Sequence, residues 1–234
     1  MNQRLQAVST PASGTILQDS SVAQRERVLR NTYWLLALSM LPTVAGAWLG
    51  ITTGLASAMS PGISLMVFLG GAFGFMYAIE RTKNSGAGVA VLLAFTFFMG
   101  LMLSRMLGMV LGLANGASLV MTAFAGTGVI FFGMATLSSI IKRDLTGMGR
   151  FLFVGALLII VAAIANFFLQ SSALMLTISV LAVGIFSAFI LHDLKRVRDG
   201  YETNYITATL GVYLSIYNVF QSLLALLGMG SADD

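Results

Sequence analysis

Cysteine is absent from the 234 residues, and histidine occurs once, at His192. The first absence removes disulfides, thiolate nucleophiles and cysteine-based metal sites. The second removes any multi-histidine metal site within one chain. Charge is scarce too. Only 9% of the residues are charged, against about a quarter in a soluble domain, so the chain cannot cover a water-facing surface. There is no P-loop and no dinucleotide fingerprint. No apolar segment holds two deep carboxylates, and His192 has no activated serine beside it in a GxSG-like setting. Catalysis is not expected, and neither is a cofactor. The first 30 residues lack the continuous apolar run of a cleavable signal, so the first apolar segment is expected to remain as an uncleaved anchor.

What is present is apolar. Hydrophobic residues make up 57% of the chain, with a mean hydropathy of +0.89. Seven apolar segments lie near residues 31–53, 62–80, 86–106, 117–141, 151–170, 173–192 and 205–228. Each approaches the roughly 20 residues that carry a helix across a bilayer. The third has room to run on to Gly112, because Arg105 is the single charge between residues 86 and 114. The expected fold is an all-α membrane protein. A flexible cytoplasmic tail (1–30), mobile to about Ser20, precedes a seven-helix transmembrane domain (31–229) and a short C-terminal tail (230–234).

The net charge of +4 and a pI near 9.7 do not indicate nucleic acid, because the basic residues form no single patch. They report topology. Arg4, Arg25, Arg27 and Arg30 precede the first span, and Arg81 and Lys83 fall in the second connection. Lys142, Arg143 and Arg150 fall in the fourth, and Lys195, Arg196 and Arg198 in the sixth. Of the 13 basic residues only Arg105 is left for the other side. The positive-inside rule then makes the N-terminus and the even-numbered connections cytoplasmic and puts Asp233–Asp234 outside. The seventh segment also permits a re-entrant helix, with the C-terminus inside.

That segment carries Gly211, Ser215, Asn218 and Ser222 at spacings of four, three and four, on one helical face. Lipid would leave those groups unpaired, so the helix belongs inside a bundle. Gly46 and Gly50, Gly70 and Gly74, and Gly100, Ser104, Gly108 and Gly112 lie four apart and allow close helix approach.

Among residues able to carry chemistry, Asp193 stands out. Placed at the end of the sixth helix, it faces the negative pole of the dipole and calls for a cation, with Arg81, Lys83 or Arg196 in range. It is either a gating acid whose protonation opens a pathway or an interfacial carboxylate in a structural pair. His192 is either a pH sensor or a bland interfacial residue. Glu80 beside Arg81 reads as a snorkelling pair. Arg105 is an interfacial anchor or an intramembrane cation. Asn166, Gln170 and Asn218 are candidates for interhelical hydrogen bonds.

The stretches RVLRNTYWLLALS (27–39), TAFAGTGVIFF (122–132), IANFFLQ (164–170) and ETNYITATLGVYLSIYNVFQSLLALLG (202–228) carry a resemblance. They resemble the Bax inhibitor 1 group and, within it, its bacterial YccA-like branch. The resemblance implies a bacterial inner-membrane protein with the seventh helix enclosed by the other six. It also implies one of two functions. One is modulation of the membrane-anchored AAA protease FtsH, engaged through the N-terminal tail with Arg4, Arg25 and Arg27. The other is a pH-sensitive calcium leak gated by an aspartate pair on helices six and seven. Here the first aspartate corresponds to Asp193, but the second position is Ser215. The gate region would comprise Asp193, Arg81, Ser215, Asn218 and His192. Oligomeric state is open.

Overall fold

The computed structural model describes residues 12–231, with the side chains of 12–21 and of residue 56 left undescribed. Arg4, Asp233 and Asp234 lie outside the described residues. The helices are α1 (Ala12–Thr53), α2 (Leu55–Ala58), α3 (Pro61–Thr82), α4 (Gly86–Leu111), α5 (Gly116–Ile140), α6 (Met148–Leu169), α7 (Ser172–Asp199) and α8 (Tyr205–Gly230). All but the one-turn α2 are long and apolar enough to span a membrane, so the described chain is a seven-span helical membrane protein. Each expected segment corresponds to one helix. α4 continues to Leu111, as a run with the single charge Arg105 allowed.

Two helices extend well beyond their apolar segments. α1 begins at Ala12 rather than near residue 31, and its polar first part continues the helix of the first span. α7 continues to Asp199 because Leu194 and Val197 are fully buried, Val197 against Val28 and Ala208. Arg196 and Arg198 occupy its last turn, where cations complement the carbonyl pole. Gly200, at φ 84°, ends it by donating its N–H to Arg196 O and Val197 O. That left-handed conformation suits glycine.

α8 is the axial element. Asn204 caps its N-terminus by accepting from the N–H groups of Ile206 and Thr207. Its Nδ2 donates to Lys83 O and Asn84 Oδ1, both at 3.0 Å, beside the start of α4. At the far end Asn115 Nδ2, just past α4, donates to Ser231 Oγ at 3.0 Å. α8 therefore runs parallel to α4 from one end of the bundle to the other. Its 26 residues cover about 39 Å at the helical rise, so α8 crosses the bundle rather than re-entering it. It packs against α1, α3, α4, α5 and α7, and α6 packs on α7.

The tightest seam joins α1 to α4. A Cβ on Gly46 would strike the Phe97 carbonyl, one on Gly50 the Ser104 side chain, and one on Gly100 the Thr43 carbonyl. These three positions thus allow the backbone approach expected of them. Gly70, Gly74 and Gly108 meet nothing within 4 Å, and Gly71 instead seats the Phe98 ring. Phe95, Leu92, Met99, Val212, Val219 and Leu224 fill the interior at the α4–α8 contact. Trp34, Trp48, Met66, Phe73, Phe124, Phe151 and Phe168 stand outward. Such an apolar exterior is a liability in water and a solvent-matched surface in lipid.

Candidate functional site

The basic end of the bundle gathers most of the charged side chains, on the ends of α1, α3 and α7, the α5–α6 loop and the start of α8. α7 supplies its centre. Asp193 lies two turns inside α7, because the helix runs on to Asp199. The dipole effect fades beyond the last turn, so the expected penalty on Asp193 does not apply. Its carboxylate reaches across to α8, where a Cβ built on Gly211 would stand 2.9 Å from Oδ2. Glycine leaves the room that this acid occupies. Asp193 Oδ1 lies 3.2 Å from His192 Nδ1, and the two side chains are 18% and 8% exposed. The opposite ring edge of His192 packs on Gly149, where a Cβ would stand 2.8 Å from Nε2. One imidazole and one carboxylate thereby link α6, α7 and α8.

The cations expected to answer Asp193 go elsewhere. Arg81 Nε donates to Tyr77 Oη at 3.0 Å, and its guanidinium lies 5.2 Å from that ring centroid. Lys83, not Arg81, pairs with Glu80, at 2.5 Å. On a helix, residues three apart share a face, whereas sequence neighbours diverge. Arg196 turns to Glu202, at 3.9 Å, and the largely buried Lys195 bonds Asp199 one turn on, at 2.6 Å. Among the described residues, the one titratable side chain within hydrogen-bond reach of Asp193 is His192.

Ser215 and Asn218 are on the inner face of α8 as the spacing required. Each bonds its own helix: Ser215 Oγ donates to Gly211 O at 3.0 Å, and Asn218 Nδ2 to Leu214 O at 2.8 Å. Asn166 likewise accepts from the nearby Ser171 N–H at 3.0 Å, and Gln170 is the left-handed C-cap of α6. Arg25 lies against the α7–α8 loop, where a Cβ on Gly200 would stand 2.5 Å from its Nε. Arg27 is exposed. In the α5–α6 loop, Asp144 Oδ1 accepts from Thr146 Oγ1 at 2.5 Å and from Thr146 N at 2.9 Å. These bonds, chiefly the hydroxyl one, with Lys195 adding its charge, hold the Asp144 carboxyl below the usual carboxylate range.

Sequence reasoning passed over a second polar row on α8. Thr209, Tyr213 and Tyr217 are buried on the face toward α1 and α4. Tyr213 Oη lies 2.9 Å from Thr43 Oγ1, which gives its own proton to Ser39 O at 2.8 Å, so the phenol is the donor. Tyr217 Oη donates to Met99 O at 3.3 Å, and Thr209 Oγ1 lies 3.4 Å from Thr32 O. Their i, i+4, i+8 spacing was the available signal. Tyrosine and threonine within an apolar run read as ordinary core.

The arrangement is that of a polytopic membrane bundle with a charged end built around an acid–histidine pair. The family description "Inhibitor of apoptosis-promoting Bax1" matches residues 25–232, and the chain belongs to this Bax inhibitor family. It is 36% identical to the modulator of FtsH protease YccA of Escherichia coli K12, over 92% of this chain and 95% of that one. An uncharacterized protein of Neisseria meningitidis serogroup A is 39% identical over 87% of this chain and 91% of its own. An uncharacterized membrane protein of Vibrio cholerae is 35% identical, covering 90% and 93%. The Escherichia coli O6:H1 relative, 36% identical over the same shares as the K12 protein, is named an inner membrane protein.

Proposed function

We propose that this chain is an inner-membrane regulator that binds the membrane-anchored AAA protease FtsH and moderates its action. The observation that carries the reading is the similarity to the K12 modulator of that protease across 92% of the chain. The basic end faces the cytoplasm by the charge rule, and there the polar N-terminal part of α1 projects. That part is offered to the protease while the glycine-locked α1–α4 seam resists extraction of the bundle.

The test is co-purification of the membrane AAA protease with the full chain and with a chain lacking residues 1–24. The truncation retains Arg25 and its seat on Gly200. Recovery with the full chain that falls on truncation supports the proposal. Equal recovery with both removes the role of the tail, and recovery with neither overturns the binding.

A second reading, a pH-sensitive calcium or cation leak, has one observation in its favour: Asp193 bridges α7 and α8 against Gly211. The second acid of a carboxylate pair is replaced by Ser215, whose hydroxyl is committed to Gly211 O. Calcium flux into liposomes that is unchanged by Asp193→Asn across pH would remove this reading.

A further inference from the structure

Among the described residues, the opposite end of the bundle holds a single cation. Arg105 lies on α4 six residues before its end at Leu111, about 9 Å below that end at the helical rise. An arginine at such depth is expensive unless something answers it. The protein answers it weakly. Nη1 donates to Met59 O at 3.4 Å and to Ser64 Oγ at 3.5 Å, both at the long limit. Among the described residues its other N–H groups have no acceptor, and no carboxylate pairs with it.

Around that guanidinium is a cavity of about 450 Å³, lined by Gly50, Ser57, Ser104, Arg105, Gly108 and Met109. Sites for small molecules begin near 300 Å³. Ser57 and Ser104 direct their protons to Gly54 O at 2.8 Å and Leu101 O at 2.6 Å, so the free donors of the groove belong to Arg105. Its floor is closed where Gly50 meets Ser104. Its flank is open at Gly108, where a Cβ would meet nothing within 4 Å. Ile51 and Met109, both apolar and exposed, line the groove as well.

We propose that this groove binds an anionic phospholipid, with a phosphate oxygen pair on the Arg105 fork and an acyl chain along Gly108 and Met109. A planar guanidinium matches a phosphate bidentately. The lipid, rather than a water-borne anion, fits because the cavity opens onto the apolar flank of α1 and α4.

The experiment is thermal unfolding of the purified full chain in detergent, titrated with phosphatidylglycerol, phosphatidylcholine of the same chains, or soluble glycerol phosphate. Phosphatidylglycerol raises the melting temperature more than phosphatidylcholine, and glycerol phosphate has no effect. Arg105→Gln weakens the phosphatidylglycerol response about tenfold, as loss of a charged hydrogen-bonded contact predicts. Gly108→Leu, which fills the flank and leaves the charge in place, weakens it as well and carries the test if Arg105→Gln fails to fold. In a chain ending at Ser231, the difference between the unsubstituted protein and Arg105→Gln persists. Its disappearance would make Asp233 and Asp234 the counter-ions and overturn the proposal. A response unchanged by Gly108→Leu, or protection by glycerol phosphate equal to that by lipid, overturns it too.

Discussion

The two faces of α8 carry polar residues in similar number and use them in opposite ways. Toward α1 and α4, the Tyr213 and Tyr217 hydroxyls bond to Thr43 and Met99 on other helices. Toward α7, Ser215 and Asn218 bond carbonyls one turn back on α8 itself. Several pairs at the charged end keep the same local habit, Lys195 with Asp199, His192 with Asp193 and Asp144 with Thr146, while Asn204 reaches across to Lys83 O and Asn84. Cross-helix bonds fix how elements sit together, whereas local bonds survive when neighbouring elements separate. The α1–α4–α8 unit is therefore tied by side-chain hydrogen bonds between helices, whereas the α7–α8 contact is held by packing, with Ile190, Leu194 and Val197 fully buried.

The largest effect should come from the seam. Gly100→Val drives a side chain into the Thr43 carbonyl, a backbone atom that cannot step aside. Overpacking of this kind costs about 3 kcal/mol or more. Folded protein should be lost on size-exclusion chromatography in detergent, and a well-folded variant would show that the seam is not fixed. Next is Tyr213→Phe, which removes a donor to Thr43 and keeps the ring. Interhelical hydrogen bonds in membranes average about 0.6 kcal/mol, with a maximum near 1.7, and thermal unfolding should fall within that range. Ser215→Ala should be smaller, within about 0.5 kcal/mol, because only a bond to its own helix is lost. A larger loss for Ser215→Ala than for Tyr213→Phe would reverse the comparison.

The fold was largely legible because lipid imposes one rule, that each crossing be a long apolar helix, and all seven segments obey it. The helix ends were less legible. Leu194 and Val197 extend α7 through a charged stretch because tertiary burial, not apolar run length, decides where that helix stops. The polar stripe led to the right helix and the right face. It did not reveal that Ser215 and Asn218 would satisfy themselves, since a hydroxyl or amide in a helix always has the carbonyl one turn back within reach. For Asp193 the sequence pointed to a cation such as Arg81, whereas the structure sets its carboxylate against Gly211 of α8. A gap left by a missing side chain gives no sequence signal that points to its occupant. Arg105 was noticed as the isolated cation, whereas the cavity around it depends on how α1 and α4 meet.

The smallest expected effect tests the local habit in the α5–α6 loop. Asp144 is lowered mainly by the Thr146 hydroxyl, then by the Thr146 N–H and the charge of Lys195. Its folded-state pKa lies below the unfolded one. The bonds thus favour the folded loop fully above the ordinary aspartate value of about 3.9 and lose that contribution as pH falls through the lower, folded value. Nothing in this contact should change near neutral pH. Thr146→Ala removes the first cause and keeps the second, so the Asp144 carboxyl should move up toward its ordinary value without reaching it. Carboxyl carbon chemical shifts followed against pH would register the move. Because the bond is local, the variant should leave the unfolding temperature at pH 7 and the response to phosphatidylglycerol unaltered. A fall in either would mean that this loop is coupled to the packing of the α1–α4–α8 unit.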